Sequence, residues 1–358
     1  MYLQRLKTYQ YRNLADTERI FKNGVYFVIG NNGRGKTNFL EAIYILGFGK
    51  TFQSQRITDA VQWETDAFFS GGSFSNGIEM EVQIGCTIHG EKTLRCNNRI
   101  VKRQELIGTV KMVLLLPTDH ELVSGGPALR RKYLDVLLSQ TDTRYLNSII
   151  RYTHGLKQRN AALKQIVSNG WPENILDPLD ERLSNDGSLI IQRRKKWFET
   201  MKPIIADLSK QLFDTETTIE CIYQPSICTE NDTADAYHES LQQSRARDIQ
   251  YMTTSIGIHR DEIDIFMNNR LCRKVGSNGQ QRMASLLLRC CEIYYIRSVC
   301  TAQPIILMDD VLLELDTDNR LKINELIQSL CNDGMQLFAC ATEESILNKL
   351  NAEEVIYI

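Results

Sequence analysis

Two halves of one site stand at opposite ends of this chain, and that most limits how it can fold. Near the start runs Gly30-Asn31-Asn32-Gly33-Arg34-Gly35-Lys36-Thr37, a full match to the phosphate-loop pattern G-x-x-x-x-G-K-[ST]. Near the end, Pro304-Ile305-Ile306-Leu307-Met308 runs into Asp309-Asp310. A phosphate loop needs an acidic partner to complete it. The fold must therefore carry the chain away from Lys36 and return it to the same place at Asp309.

The local context fits. Tyr26-Phe27-Val28-Ile29 is a short apolar run ended by glycine, as expected of a buried strand. After the loop, Phe39, Leu40, Ile43 and Leu46 recur at helical spacing. The order is strand, glycine loop, helix. The glycines let backbone N–H groups close on phosphates, and the helix N-terminus adds its positive end. Gly30, Asn31, Asn32, Gly33, Arg34, Gly35, Lys36, Thr37 and Asn38 are the nucleotide-binding candidates. Lys36 is expected to reach the β- and γ-phosphates, and Thr37 to hold Mg²⁺. Asp309 falls at the carboxyl end of a buried parallel strand, where ligands sit in open α/β sheets, and is the second Mg²⁺ candidate. Asp310 is placed to orient or deprotonate an attacking water. Lys36 and Asp310 are the catalytic candidates.

Between the two halves stands Ser277-Asn278-Gly279-Gln280, and Glu314-Leu315-Asp316 follows the acids. Gly279-Gln280 opens a helical pattern with Met283, Leu286, Leu287, Cys290, Ile293 and Tyr294 on its apolar face. The bland reading of Ser277 is an ordinary N-cap. The order and spacing of the four motifs instead resemble the ATP-binding-cassette class of ATPases. That resemblance implies ATP as the nucleotide. It also implies that Ser277, Gly279 and Gln280 cap the nucleotide of a second copy of the chain, with Asp316 in the D-loop.

The 358 residues allow one large or two ordinary domains, at roughly 150 residues each. Residues 68–102 read as a β-rich meander, with Gly71-Gly72, Asn76-Gly77, His89-Gly90 and Asn97-Asn98 as turns. From about 127 to 215 the pattern is helical and charged, with Leu134, Leu137 and Leu138 on one stripe and Leu156, Leu163 and Ile166 on another. The expected fold is α/β. It comprises an ABC-type ATPase head, with a mixed sheet carrying the phosphate loop plus the meander, and an inserted helical second lobe. The head is expected over 1–116 and 251–358, the lobe over 117–250.

A net charge of −2 does not announce a nucleic-acid binder, so any such contact must use local patches. Basic runs stand at Lys102-Arg103, Arg130-Arg131-Lys132 and Arg193-Arg194-Lys195-Lys196. A charge run is by default a solvated face; contact with a DNA backbone is the alternative for the last two. The ten cysteines, Cys86, Cys96, Cys221, Cys228, Cys272, Cys290, Cys291, Cys300, Cys331 and Cys340, form no CxxC pair. They read as reduced core residues of a cytoplasmic protein. The first residues lack an apolar signal core, and no run reaches the ~18 apolar residues of a membrane span. His259-Arg260-Asp261 resembles a kinase triplet, but the other kinase motifs are missing.

Taken together, the chain resembles the RecF family, recombination mediators related to SMC-type ATPases. Tyr11-Arg12-Asn13 is similar to the family's F-R-N turn. Gly33 to Glu41 is similar to its G-x-G-K-T-N-x-L-E. Leu116 to Asp135 resembles its P-x-D-L…G-x-P-x-x-R-R-x-x-L-D stretch. Leu156-Lys157-Gln158-Arg159-Asn160 and Gly257-Ile258-His259-Arg260-Asp261 resemble two further family segments, with Ile258 where proline is usual. The resemblance implies an ATP-dependent homodimer that binds duplex DNA near single-strand gaps. It implies action with RecR and RecO to help load RecA, and a role in replication maintenance and the SOS response. Asp310 stands where the wider class has glutamate, and Ala341-Thr342-Glu343 where transporters carry a switch histidine. Both fit slow turnover; the resemblance implies a DNA-dependent ATPase that uses hydrolysis as a switch.

Other readings fit less well. A nuclease-coupled ATPase needs an acidic metal-binding domain after the head, and only sixteen residues follow Thr342. A structural SMC protein needs long heptad arms, and no sustained heptad is visible. A transporter subunit conflicts with the missing switch histidine.

Overall fold

Val25–Ile29, Met112–Leu115, Ile305–Asp309 and Leu337–Ala341 are buried at every position. Unbroken apolar runs of this kind belong to a parallel sheet covered on both faces. The Glu79–Thr87 run instead alternates buried with partly exposed positions, the pattern of a sheet with one wet face.

The computed structural model describes residues 1–227, 233–343 and 352–358. In chain order these hold β1 (Tyr2–Tyr9), β2 (Thr17–Ile20), β3 (Val25–Ile29), α1 (Lys36–Phe48), β4 (Ala67–Ser75), β5 (Glu79–Thr87), β6 (Lys92–Cys96), β7 (Arg99–Ile100), α2 (Arg103–Leu106) and β8 (Met112–Leu115). Next come α3 (Glu121–Ser124), α4 (Pro127–Thr141), α5 (Thr143–Asn169), α6 (Asp177–Leu212), β9 (Ile219–Gln224), α7 (Ala234–Tyr251), β10 (Glu262–Met267), β11 (Arg270–Leu271) and α8 (Cys272–Val275). The chain ends with α9 (Asn278–Val299), β12 (Ile305–Asp309), α10 (Thr317–Asn332), β13 (Leu337–Ala341) and β14 (Glu354–Tyr357). Two compact units result: Met1–His120 with Asn278–Ile358, and Glu121–Ser277.

In the first unit, parallel and antiparallel strands segregate into separate sheets. One sheet has the order β14-β3-β13-β12-β8, with every neighbouring pair parallel. All its strands therefore end on one rim. β3 and β12 lie one strand apart there, and β13 runs between them. The other sheet, β2-β1-β4-β5-β6-β7, is antiparallel throughout. Helix α1 touches both: the Ser70 hydroxyl donates to the Ala42 carbonyl at 2.9 Å, and Phe39 meets Phe338 edge-on at 6.1 Å.

Gly71-Gly72, expected as a turn, lies inside β4 instead. A Cβ on Gly72 would stand 2.6 Å from Leu46 of α1, and one on Gly71 would strike the Phe69 ring at 2.8 Å. These glycines are spacers that let helix and ring lie flat on the strand. Asn97-Asn98 does form a turn, with positive φ at both residues, the geometry of a two-residue hairpin.

The second unit packs α5, α6 and α7 beside a small sheet of order β11-β10-β9. Residues 251–277, expected in the head, fold here. The reason is strand pairing: β10 runs antiparallel to β9, Glu262 opposite Gln224 through Met267 opposite Ile219. The forward boundary falls after His120 rather than Leu116.

Buried ion pairs hold this unit together. Arg159 is fully buried; it donates to Asp180 at 2.6 Å, to Asp248 at 2.7 Å and to Thr254 at 2.9 Å. Asn160 accepts from both the backbone and the hydroxyl of Thr254. The His259 ring sits between the Tyr152 hydroxyl and the Thr254 carbonyl, and burial lowers its pKa. Breaking such a pair on one side costs about 3–5 kcal/mol, because the other charge stays buried. The charged segments that carry the family resemblance in this unit are thus its core.

The described cysteines are divided between buried and half-buried sites, and none is in a disulfide. Cys228 lies outside the described residues. No described helix is long and apolar enough to cross a membrane.

Candidate functional site

The loop between β3 and α1 is shaped by two glycines with positive φ, Gly33 at 81° and Gly35 at 115°. A side chain on Gly35 would meet Asn13 Oδ1 at 2.8 Å. No side chain caps α1, and no acid stands in its first turn. The first N–H groups of a helix have no partner within it, so α1 presents uncompensated donors and its positive end. The loop lines an open cavity of about 260 Å³, together with Lys36, Thr37, Asn38, Gln53 and Asp310.

Lys36 is almost wholly buried. Its Nζ donates to the Gly30 carbonyl at 2.8 Å and to Asn32 Oδ1 at 3.4 Å, and stands 3.5 Å from Asp310 Oδ2. The Thr37 hydroxyl donates to Asp309 Oδ2 at 2.8 Å. The two ends of the chain therefore meet in one site.

Asp309 Oδ1 and Asp310 Oδ1 are both buried, and neither makes a hydrogen bond of normal geometry; the Cys340 thiol lies against the Asp309 carboxylate. Burial raises the Asp309 pKa, the Thr37 hydroxyl partly offsets this, and Asp310 raises it further. Two neighbouring carboxylates with orphaned oxygens beside a threonine hydroxyl are a donor set for a hard cation, because such ions take oxygen ligands. The residues present fit Mg²⁺. Asp310 holds a left-handed backbone, φ 46°, which is uncommon away from glycine and clusters at functional sites.

Asp310 opens a tight turn over Val311–Glu314, and two arginines pin it. Arg282 of α9 pairs with Glu314 at 2.5 Å and donates to its carbonyl at 3.2 Å. Arg320 of α10 donates to the carbonyls of Leu312 and Leu315. Asp316 caps α10 by accepting from the Asn319 backbone N–H at 2.9 Å. That bond holds its pKa below the usual value. Ser277 closes the helical unit and Asn278 begins α9. Ser277, Gly279 and Gln280 do not line the loop cavity.

Sequence reasoning missed Gln53, which lines the cavity, and the parts of Asn13 and Glu41 in the site. Glu41 is fully buried. Its Oε1 accepts from the backbone N–H groups of Phe52 and Gln53 at 3.1 and 2.9 Å, and its Oε2 from Arg12 and the Tyr11 hydroxyl. One carboxylate thus ties the 11–13 turn and the 52–53 loop to α1. The signal was available: a glutamate inside an apolar helical stretch needs partners once buried.

Two basic candidates are corrected. Arg130 is 2% exposed and Arg194 1%. Arg130 donates to the Gly125 carbonyl at 2.7 Å and to Glu262 at 2.9 Å. Arg194 donates to Asp261 at 2.7 Å, Asp135 at 2.8 Å and the Ile258 carbonyl at 3.0 Å. Neither can reach a DNA phosphate. Acids distant in sequence claimed both. Arg131 is half-buried on the Asp261 carbonyl, and Arg193 faces Asp142 at 2.9 Å. Lys132 and Lys196 remain exposed, and Lys195 half so.

The chain matches the family model described as RecF/RecN/SMC N terminal domain over residues 2–358. It is 30% identical to the DNA replication and repair protein RecF of Clostridium perfringens, over all of this chain and 98% of that protein. It is 32% identical to the protein of that name from Caldanaerobacter subterraneus, over 96% of this chain and 95% of that one. A solved structure of the recombination mediator protein RecF with ATP, in the RecFOR pathway, superposes with a TM-score of 0.89. That match has 28% identity and covers all of this chain and 95% of the other. An Smc head domain bound to the C-terminal domain of ScpA, from Pyrococcus furiosus, shares the fold at TM-score 0.60 and 14% identity, over 99% and 93% of the two chains. With the phosphate loop and the acidic strand closed on one another, the chain belongs to the RecF family of ABC/SMC-type ATPases.

Proposed function

We propose that the protein is an ATP-gated DNA-binding switch of replication and gap repair. The observation that carries this is the meeting of Thr37 and Asp309 beside two orphaned carboxylate oxygens. In this reading the loop N–H groups and Lys36 bind the phosphates of ATP. Thr37 and Asp309 hold Mg²⁺, which supplies neutralisation of phosphate charge. Asp310 orients the attacking water and accepts its proton. Aspartate is shorter than the glutamate of the wider class, which supports slow turnover.

Ser277, Gly279 and Gln280 stand outside the loop cavity, which supports their use on a second copy, with Asp316 at the same contact. ATP would then join two chains, and hydrolysis would release them. The ligand is duplex DNA beside a single-strand gap, and DNA stimulates hydrolysis. Lys132, Lys195 and Lys196 are the remaining basic candidates for its backbone. RecR, RecO and, downstream, RecA are the partners, in the cytoplasm; the RecFOR pathway named for the ATP-bound structure supports RecR and RecO.

Sedimentation with ATP, with and without gapped duplex, tests the reading on wild type and Ser277→Arg. An ATP-dependent wild-type dimer that binds the duplex, lost in the variant, is expected. A monomer throughout, or a dimer indifferent to ATP and to Ser277, would remove the switch from this chain.

A further inference from the structure

Four polar groups form a line along the mouth of the loop cavity. Gln53 Nε2 donates to Asn38 Oδ1 at 2.9 Å, Asn38 Nδ2 donates to Asn13 Oδ1 at 2.6 Å, and Asn13 Nδ2 donates to the Gly33 carbonyl at 3.1 Å. The last member decides the direction of all the others. A backbone carbonyl can only accept. Asn13 must therefore turn its NH₂ toward Gly33 and its oxygen toward Asn38. Asn38 must then give its NH₂ to Asn13 and its oxygen to Gln53. Gln53 is left with its NH₂ on Asn38. An amide drawn on its own could be flipped, but this chain of three cannot be flipped without setting oxygen against oxygen at Gly33.

One consequence is chemical. Gln53 lines the cavity beside Thr37 and Asp310, and its Oε1 accepts no hydrogen bond among the described residues. The relay therefore leaves Gln53, a residue of the cavity lining, with an acceptor oxygen of set orientation. An acceptor repels phosphate oxygens and attracts a cation or the O–H of a water bound to it. The loop that carries Gln53 is itself anchored, because Glu41 holds the backbone N–H groups of Phe52 and Gln53.

We propose that Gln53 is a positioning residue for the cation. Its Oε1 accepts from a water of the ion's shell, and Asn38 and Asn13 hold that oxygen in place from the phosphate loop. This rests on the ATP–Mg²⁺ reading above. It also links the cation to the Gly33 carbonyl, so the loop's conformation and ion binding depend on each other through side chains outside the phosphate-loop motif.

The test is a binding measurement on the full chain with the non-hydrolysable analogue AMP-PNP. Mg²⁺ is titrated by calorimetry at saturating analogue. Gln53→Met keeps the shape but removes both amide groups. It is expected to raise the Mg²⁺ concentration at half-saturation about tenfold, the size seen when groups that hold a metal's ligands or waters are lost. Analogue binding without Mg²⁺ should change less than about twofold, because the residue does not touch phosphate in this arrangement. Asn13→Ala lies outside the cavity lining and should give a similar shift by freeing Asn38 to flip. The double variant should be no worse than either single one, since both break the same relay. An unchanged Mg²⁺ requirement in Gln53→Met, with wild type binding AMP-PNP normally, overturns the role of Gln53 and leaves the ATP site standing. Additive effects overturn the relay. A wild type that binds no AMP-PNP overturns the ATP reading itself.

Discussion

Glu292 offers a direct check on the packing around α9. It is 2% exposed and lies one turn from Arg289, whose guanidinium donates to it at 2.9 Å. Arg289 is shared: the same group donates to the Asp119 carboxylate at 2.7 and 3.0 Å. Tyr44 of α1 also lies close to the pair. Burial pushes the Glu292 carboxyl up to about 7, Arg289 pulls it back, and Asp119 pushes it further. The fold therefore prefers the protonated form more than the unfolded chain does. The stability this supplies is fully present below pH 4.5, the ordinary value, and is lost as pH rises through about 7. At roughly 1.4 kcal/mol per pH unit, the gap amounts to roughly 3 kcal/mol. Glu292→Gln copies the neutral acid in shape and should abolish this dependence. The variant should match wild type near pH 4.5 and exceed it by about 3 kcal/mol at pH 8, where wild type carries the buried charge. Hydrogen exchange of the α9 amides across this range reads the unit that holds Glu292, and urea denaturation gives the same comparison in bulk. Parallel pH profiles for the two proteins would refute the argument, since Glu292 would then be ionised and satisfied in the fold.

Other substitutions separate the site from the scaffold. Lys36→Met should abolish binding of a fluorescent ATP analogue, whereas Asp310→Asn should bind it normally and lose turnover by a factor on the order of 10²–10⁴, the range for a lost general base. Retained hydrolysis in Asp310→Asn would move the base elsewhere. Arg194→Ala should destabilise the helical unit by about 3–5 kcal/mol in denaturant, because Asp261 and Asp135 lose their cation; a stable variant with weaker DNA binding would restore the discarded reading. Joint replacement of the exposed Lys132 and Lys196 by Gln should leave stability within about 0.5 kcal/mol and flatten the salt dependence of duplex binding. An unchanged slope would return these lysines to the solvated-face reading.

The nucleotide site was legible because its parts are local. A glycine with positive φ, a lysine at the first position of a helix and an acid at a strand end each belong to a short stretch with its own pattern. The strand-loop-helix order around Gly30–Thr37 appears in the fold as β3, loop and α1. The meeting of Thr37 with Asp309 followed once both stretches were assigned to parallel strands ending on one rim. The unit boundary was not legible in the same way. Residues 251–277 carry no mark that they pair with β9 rather than return to the first unit. Only the register of β10 against Ile219–Gln224 decides it. Gly71-Gly72 misled for a related reason: a glycine pair reads as a turn locally, and the packing of Leu46 against Gly72 is not local.

Charge was the least legible property of all. Arg130-Arg131-Lys132 and Arg193-Arg194-Lys195-Lys196 look alike as sequence, yet each run divides into buried and exposed members. The division follows from helix geometry. Arg130 and Arg194 fall on the faces of α4 and α6 that also carry buried Leu134, Leu137, Ile190 and Trp197. An arginine on such a face must find acids, since burying it unpaired is prohibitive. The acids that meet Arg194, Asp135 and Asp261, sit in the two family-specific segments P-x-x-R-R-x-x-L-D and G-x-H-R-D. Those segments therefore identify the family through its scaffold rather than its ligand: the Asp135–Arg194–Asp261 cluster joins α4, α6 and the turn before β10. Periodicity applied within each basic run would have separated the scaffold arginines from the solvent-facing lysines, and only the latter can answer to salt.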